Sequence, residues 1–469
     1  MYMDMEKRAR RQSRRIIISE VLMVLTVIVT VMILAFVVSG YWVGSDFKIE
    51  RQGLLQVYSI PTGADVEVDG NPSSWLQRTN TSKTLAAGKH TIKLSKEGFD
   101  TWSRTINITE GLLYRLHYPR LFLKNRTEET AYSFSANSAF ISPDRNTILL
   151  ANNTTTWELA NLDTEDIKPT SLDLSEVLPF SSRAADAKIG LFTGTIVDAE
   201  WAADNEHILL KITSDDKINW LILNVKNPKN SINLSKEFNA NFEKIKILDQ
   251  SANNLIVGLN GNLHRVDIPS KQISAVLLSD VRSFDYYDQN VVFVAKDSES
   301  GKYFIGTSRI GSSDMTKLKD LEAPVRVFIT KFYDDEYIGV INDNSITIYT
   351  KNNFEEKHHY PLSFNPEDVK IADSGGAIVM STGGHVATLD MEAQELFEWT
   401  TGTESFGWLD NSMIYAVKDS VLNVYDFNGL NHRELSKNVS SHFPVTITAD
   451  KYLYYFRDGS LIREYLFEK

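Results

Sequence analysis

Three groups of residues in this sequence have the types and spacing that could perform chemistry. Asp215-Asp216 and Asp334-Asp335-Glu336 are carboxylate runs that could bind Ca²⁺ or assist acid–base catalysis, and His358-His359 could bind a metal. Each carboxylate run falls in a predicted exposed turn, where hydration is the simpler interpretation. Adjacent residues on a strand point to opposite faces, so one metal site would rarely use both histidines. We expect all of these residues on the surface and predict no catalytic, cofactor-binding or metal-binding residue.

The motifs of several enzyme classes are absent from the 469 residues. The zinc-protease pattern H-E-x-x-H, the hydrolase elbow G-x-S-x-G, the phosphate-binding loop and the EF-hand loop do not occur. The sequence also has no cysteine, which excludes disulfides, thiolate metal sites and a cysteine nucleophile. We therefore predict a protein that is not an enzyme and has no cofactor.

The charge is divided along the chain, whose net charge is -12. Residues 1–19 hold six Lys or Arg against two carboxylates, a local charge of +4, which leaves -16 for the remainder. An acidic body repels phosphate backbones, so we expect no nucleic-acid partner. The lack of cysteine in a protein of this size favours a bacterial cell envelope over a eukaryotic secreted setting.

An apolar run near the N-terminus predicts a membrane anchor. Residues 21–38 carry no charge and as a helix would extend roughly 27 Å, close to the thickness of the bilayer core. Six cations precede the run, which places the N-terminus in the cytoplasm and the bulk outside. We predict a basic cytoplasmic tail at 1–15, a single transmembrane signal-anchor helix at 16–43 and a linker at 44–52. A cleaved signal peptide is the alternative, but its apolar region is normally only about 7–15 residues long.

Residues 53–123 alternate between apolar and polar positions, as short strands with one buried face do. In Ala64–Asp69 the apolar side chains take every second place, and Pro and Gly residues mark the turns between the runs. The segment resembles the PEGA domain family at these positions: Ser59, Pro61, Gly63, Ala64, Val66, Val68, Asp69, Gly70, Ala87, Gly88, His90, Lys96, Gly98 and Phe99. The resemblance implies a small, non-catalytic β-sandwich that serves as a spacer or binding module.

A repeated unit fills residues 124–469. An apolar strand, a tight polar turn, a second apolar strand and a third strand recur, with turns near residues 144, 204, 252, 289, 335, 374, 411 and 450. A period near 40 with three or four strands per unit is typical of β-propeller blades, and seven or eight blades fit. The turn Ser142-Pro143-Asp144-Arg145-Asn146 resembles the corresponding turn of TolB-like and WD-type propellers. The predicted fold class is thus an all-β ectodomain after one transmembrane helix: a small β-sandwich followed by a 7–8-bladed propeller.

One connection is longer than a blade requires. Residues 170–195 could be a binding loop on a rigid scaffold, although an outer strand with a packed surface loop fits equally well. The candidate exposed binding residues are Leu178, Pro179, Phe180, Arg183 and Phe192.

The last repeat contains three strands, so its outer edge needs a partner. Thr130, Tyr132 and Phe134 alternate with small residues upstream of the first repeat. We predict that residues 128–136 pair with the strand that begins at Ser460 and close the ring.

Two classes of function remain open. The favoured class is a membrane-anchored, extracytoplasmic binding or scaffold protein that presents its propeller to an envelope protein or glycan. The alternative is a propeller hydrolase acting on cell-wall glycan or peptide, which would require carboxylates or arginines from several blades to converge on the central channel.

Overall fold

The computed structural model describes residues 20–35, 41–43, 49–72, 78–181, 191–311, 314–372 and 374–466. The chain divides into two compact units, Met1–Lys124 and Asn125–Lys469, and each is described by itself. The regular structure is almost entirely β, as the sequence predicts. The described helices are α1 at residues 20–35, a 3₁₀ turn at Pro228–Asn230 and the single turn α2 at Leu234–Glu237.

Helix α1 is the described part of the predicted membrane anchor. Every side chain along it is exposed. Residues 16–19 and 36–40 of the predicted span, and the predicted tail at 1–15, lie outside the described residues. Within the described ranges, the structure contains no helix that is both long and apolar enough to cross a membrane.

The segment after α1 differs from the sequence prediction. Residues 41–43, predicted as the end of the helix, form strand β1 (Tyr41–Val43), and residues 49–52, predicted as linker, begin strand β2 (Ile49–Val57). The two strands are antiparallel, with Tyr41 opposite Arg51. Pairing satisfies backbone groups that an isolated linker would leave to solvent, and a short polar stretch carries no alternating pattern that would predict it.

The first unit is a pair of four-stranded sheets around one apolar core. Its remaining strands are β3 (Asp65–Val68), β4 (Asn71–Pro72), β5 (Thr81–Ala86), β6 (Gly88–Ser95), β7 (Trp102–Ile108) and β8 (Leu113–Leu116). One sheet has the order β1-β2-β5 with β8 parallel to β2, and the other has the order β4-β3-β6-β7. The alternation in the sequence explains the core, because inward residues such as Leu55, Ile92 and Trp102 are fully buried between the sheets.

The second unit begins with strand β9 (Glu128–Ser133) and continues as successive four-stranded antiparallel sheets. The strands of the first four sheets are β10 (Ser138–Ile141), β11 (Thr147–Ala151), β12 (Thr156–Asn161), β13 (Thr170–Asp173); then, after the small hairpin β14 (Phe180–Ser181) and β15 (Leu191–Phe192), β16 (Thr195–Trp201), β17 (His207–Ser214), β18 (Lys217–Asn224), β19 (Ile232–Asn233); β20 (Lys244–Ile247), β21 (Asn254–Leu259), β22 (Asn262–Asp267), β23 (Gln272–Ile273); and β24 (Val281–Tyr287), β25 (Asn290–Lys296), β26 (Tyr303–Arg309), β27 (Met315–Leu321).

The later sheets repeat the same order. Their strands are β28 (Arg326–Phe332), β29 (Asp335–Asn342), β30 (Ser345–Thr350), β31 (Glu356–Pro361); β32 (Asp368–Ile371), β33 (Ala377–Thr382), β34 (His385–Asp390), β35 (Glu395–Thr400); β36 (Phe406–Trp408), β37 (Met413–Lys418), β38 (Val421–Asp426), β39 (Arg433–Lys437); and β40 (Thr446–Thr448), β41 (Tyr452–Arg457), β42 (Ser460–Tyr465). The described residues therefore contain eight four-stranded sheets in this unit, which we number as blades 1–8.

Neighbouring blades pack face to face. In β25, Phe293 faces the core shared with blade 3, whereas Val292 and Val294 face the core shared with blade 5. A strand that is buried on both faces needs an unbroken apolar sequence, which is why the second strand of most blades contains a continuous apolar run. A further core joins Ile148 and Leu150 of blade 1 to Tyr454 and its neighbours in blade 8, so the blades form a closed ring.

The predicted closure is confirmed. Strand β9 pairs antiparallel with β42, with Ser133 opposite Ser460 and Tyr132 opposite Leu461. The strand that precedes blade 1 thus supplies the fourth strand of blade 8, and the ring has eight blades, the upper of the two numbers predicted.

Hydrogen bonds and backbone conformation account for the residue types in the Ser142–Asn146 turn. The Asp144 carboxylate accepts a hydrogen bond from the Ser142 hydroxyl at 2.5 Å and one from the Asn146 backbone at 3.0 Å. Arg145 has a φ of 59°, a left-handed conformation that glycine adopts without strain. This is the position where the propeller turns that it resembles carry glycine.

Candidate functional site

A cavity of about 580 Å³ lies at the centre of the ring and is the candidate functional site; we call it the channel cavity. It is lined mainly by the first strands of blades 2–6, which are β16, β20, β24, β28 and β32, and also by residues of β17, β18 and β29. The charged residues around it are Asp198, Glu200, Lys211, Glu243, Lys244, Lys246, Asp285, Arg326, Glu367 and Asp368. Six carboxylates thus face four cations in a space of the size that small ligands occupy.

Lys246 lies between carboxylates from two other blades. Its ammonium is 3.6 Å from Oε2 of Glu200 in blade 2 and 3.8 Å from Oδ1 of Asp285 in blade 4. Burial alone lowers the pKa of Lys246, but Glu200 and Asp285, with a smaller contribution from Asp198, outweigh it and hold the pKa above its ordinary value. Asp285 also accepts a hydrogen bond from the backbone N–H of Ile329 at 3.1 Å, so it joins blade 4 to blade 5.

Lys244 lies in the same cavity and forms no ion pair with any carboxylate in the part of the chain that the structure describes. It donates a hydrogen bond to the carbonyl of Phe284 at 2.8 Å, and its ammonium lies 5.0 Å from the centre of the Phe284 ring. Enclosure by protein lowers the pKa of Lys244 and outweighs the opposing effect of the Asp285 and Glu200 charges, while the positive charge of Lys246 adds to the lowering. Its hydrogen bond and its ring contact are both to neutral groups.

Two further cations of the cavity also contact only neutral groups. Lys211 lies over the ring of Trp220, 5.4 Å from its centre. Arg326 donates to the carbonyl of Glu367 at 3.0 Å and to the carbonyl of Pro366. Among the described residues, neither cation forms an ion pair with a carboxylate.

The predicted binding loop is only partly exposed. Leu178 is 3% exposed and belongs to the core between blades 1 and 2, so the expectation that it is exposed is wrong. Its backbone N–H bonds back to the carbonyl of Leu174, and this turn folds the side chain inward. Pro179 is partly buried. Phe180 lies opposite Phe192 in the β14–β15 hairpin. The Phe192 ring packs edge-on against the buried Trp157, with 5.8 Å between the ring centres. Arg183 lies outside the described residues.

The structure separates the other candidates from the cavity. Asp215 and Asp216 form the turn between β17 and β18, with φ values of 50° and 59°, and Asp334 lies in the turn between β28 and β29. His359 bonds through Nδ1 to the hydroxyl of Thr347 at 2.9 Å, while His358 stacks near Tyr360. No group of residues suited to holding a metal ion occurs in the ranges that the structure describes.

The sequence prediction missed the charges of the channel cavity. A signal for them exists: Asp198 and Glu200, then Lys244 and Lys246, occupy alternate positions on the first strands of consecutive repeats. Residues two apart on a strand share a face, and the first strand of a propeller blade is the strand that runs along the central channel. Charges at alternate positions in that strand are therefore the pattern to seek.

The ring topology and the channel cavity define the second unit as an eight-bladed β-propeller. The first unit contains a PEGA domain, because residues 52–120 match that family, as the sequence predicts. No curated protein matches the chain in sequence.

Solved structures with a similar fold include Hsv2 of Kluyveromyces lactis, with 10% identity over 65% of this chain and 99% of that chain and a TM-score of 0.42. Dihydro-heme d1 dehydrogenase NirN in complex with DHE also has 10% identity, over 65% of this chain and 66% of that chain, with a TM-score of 0.41. Oligogalacturonate lyase in complex with manganese has 10% identity over 73% of this chain and 98% of that chain, with a TM-score of 0.39. Because every TM-score is below 0.5, these likenesses carry no argument about function.

Proposed function

We propose that this protein is a membrane-anchored, extracytoplasmic binding or scaffold protein of a bacterial cell envelope, which presents its propeller to an envelope protein or glycan. The observation that carries the proposal is the channel cavity, where charges from five blades line a space of about 580 Å³. Preformed clefts with a few placed polar groups are the usual form of a ligand site. The PEGA domain, as a small non-catalytic module, is consistent with a scaffold role.

The anchor is the second part of the proposal. It is supported by the charge-free run at residues 21–38 and by the six cations before it. The side chains of α1 are exposed along its whole length, which suits an apolar helix whose surroundings are lipid. The basic segment then lies in the cytoplasm and the two folded units lie outside. We also propose that the propeller is related to TolB-like or WD-type propellers, which the Ser142–Asn146 turn supports.

A binding role fits the carboxylates of the cavity better than catalysis. Glu200 and Asp285 both lie within ion-pair distance of the ammonium of Lys246, so each carboxylate already has a cationic partner. A hydrolase of the glycan-cleaving type needs two carboxyl groups that are free to flank the bond it cleaves. The alternative, a propeller hydrolase acting on cell-wall glycan or peptide, is nevertheless favoured by one observation: carboxylates from blades 2 and 4 converge on the channel.

One experiment separates the two functions. The purified full-length chain is incubated with insoluble cell-wall polymer, and both the retained protein and the released products are measured. We expect retention without product release. Product release that disappears in Glu200→Gln or Asp285→Asn, but persists in the exposed control Glu299→Gln, would establish the hydrolase instead. Observing neither retention nor release would refute both the hydrolase and the binding of cell-wall glycan.

A further inference from the structure

Some charged residues of the channel cavity form ion pairs, and others form none among the described residues; we call the second group uncompensated. Lys246, Glu200 and Asp285 contact one another, and Asp368 has a partner in Lys370 at 3.2 Å. The remaining six charges of the cavity form no ion pair within the described part of the chain. Three are cations and three are carboxylates: Lys211, Lys244, Arg326, Asp198, Glu243 and Glu367.

The uncompensated cations come from three blades. Lys211 is on β17 of blade 2, Lys244 on β20 of blade 3 and Arg326 on β28 of blade 5. Their contacts are an aromatic ring and backbone carbonyls, which leave donor capacity on each of them. None of the three forms an ion pair with a carboxylate of the described residues, so an anionic group placed directly against them gains electrostatic energy.

The uncompensated carboxylates surround the same space. One oxygen of Asp198 accepts from the backbone of Ala199 at 2.9 Å, and one oxygen of Glu243 accepts from the backbone of Gly261 at 3.0 Å. Glu367 is exposed, and its contact with Arg326 is through the backbone carbonyl. Oxygens of all three carboxylates are therefore able to accept bonds from a cationic ligand group.

A ligand of one sign would meet only half of these groups and would be repelled by the others. An uncharged sugar would desolvate all six without neutralising any of them, which costs free energy. A ligand that carries both signs can pair with the two sets at once, and such complementarity also excludes wrong ligands.

We propose that the channel cavity binds a short polypeptide segment that carries both a cationic and an anionic side chain. The proposal rests on the binding function above and narrows its ligand from protein or glycan to a polypeptide of mixed charge. The anionic group pairs with Lys244 and Arg326, and the cationic group pairs with Asp198 and Glu367.

The test uses four blocked tetrapeptides of the form Ac-X-Ala-Ala-Z-amide. X is Lys or Gln and Z is Glu or Gln, so the set contains both charges, either charge alone, or none; chitotetraose serves as the uncharged glycan probe. Binding to the full-length chain is measured by isothermal titration at low and at high salt. We expect the doubly charged peptide to bind about tenfold tighter than either singly charged peptide, and high salt to reduce that difference.

Variants then assign the binding to the cavity. Lys244→Met and Glu367→Gln should each weaken binding of the doubly charged peptide by about tenfold. Lys229→Met and Glu299→Gln, which remove the same charges at exposed positions outside the cavity, should leave it unchanged. Because Glu367 is exposed, its variant carries the test even if Lys244→Met fails to fold.

Several results would overturn the proposal. They are equal affinity for all four peptides, tighter binding of chitotetraose, no effect of the cavity variants, and no binding of any probe at millimolar concentration. The proposed function fails separately, because retention on cell-wall polymer does not depend on these probes. Retention by the wild-type protein and by both cavity variants, together with no binding of the doubly charged peptide, would leave the scaffold role in place while removing the peptide site.

Discussion

At the scale of single residues, Lys246 connects carboxylates from two other blades of the channel cavity. Replacing it by methionine leaves Glu200 and Asp285 facing each other without the cation between them. We expect Lys246→Met to lower the free energy of unfolding by about 1 kcal/mol, a moderate value because all three groups keep some contact with water. The control is Lys271→Met, which breaks an exposed ion pair with Glu237 and should change little. Denaturation in urea measures both variants.

The ion pairs of Lys246 also predict how the free energy of unfolding changes with pH. The pKa of Lys246 is raised above the ordinary value of 10.5, so the folded state holds this proton more tightly than the unfolded state. The stabilisation is fully present below the unfolded pKa and is lost as the pH rises through the folded pKa. The difference in stability between wild type and Lys246→Met should therefore be constant from pH 7 to 9 and shrink above pH 10.5. A difference that grows above that pH would contradict the assigned ion pairs.

Arg463 is the corresponding residue at the ring closure. It is 5% exposed and donates to Oε1 of Glu129 on β9 at 2.8 Å and to the carbonyls of Thr164 at 2.8 Å and Glu165 at 2.7 Å. Arg463→Met removes these bonds and leaves Glu129 without its cation, so we expect a loss of about 3 kcal/mol. Lys226→Met, at an exposed ion pair, is the matched control. A loss no larger than that of the control would show that Arg463 does not hold the seam.

At the scale of elements, strand β9 carries the closure. Replacing residues 128–136 by a Gly–Ser linker of equal length removes the pairing with β42 and the contact of Phe134 with Phe456 at 5.2 Å. The melting temperature of the whole propeller should fall, because blades 1 and 8 both lose a packing partner. The same replacement at the exposed turn 298–301 should have little effect. Equal melting temperatures for the two replacements would contradict a structural role for β9.

The elements show which parts of the fold are readable from the sequence. Strands such as β25 are continuous apolar runs, and β9 alternates, so local patterns predict both. The pairing of β1 with β2 was missed because it joins short segments whose sequence is polar or interfacial. The burial of Leu178 was missed because a turn within the connection, not its composition, directs the side chain. The channel charges were missed because the direction of a first strand's face is defined only once the ring is closed.

At the scale of the whole molecule, the proposed topology is testable on intact cells. If the anchor spans the membrane with the N-terminus inside, protease added outside should remove both folded units and leave a short basic fragment attached to the membrane. A tag placed before residue 1 should be protected, and a tag after residue 469 should be cleaved. Protection of the C-terminal tag, or release of an intact ectodomain beginning near Tyr41, would contradict the proposal.

The β9–β42 pairing also determines when the propeller can complete its folding. Arg463 and Glu129 are 334 positions apart, whereas the other strands of each blade pair with close neighbours in the chain. Blades 1–7 can form from local hairpins as the chain emerges, but β9 must wait for the last segment to be synthesised, a closure that is slow because it joins distant residues. Until then β9 has an unpaired edge, and the face of blade 1 that contacts Tyr454 is uncovered. An interrupted chain keeps both exposed indefinitely, so proteases and chaperones can distinguish complete from incomplete copies by this seam.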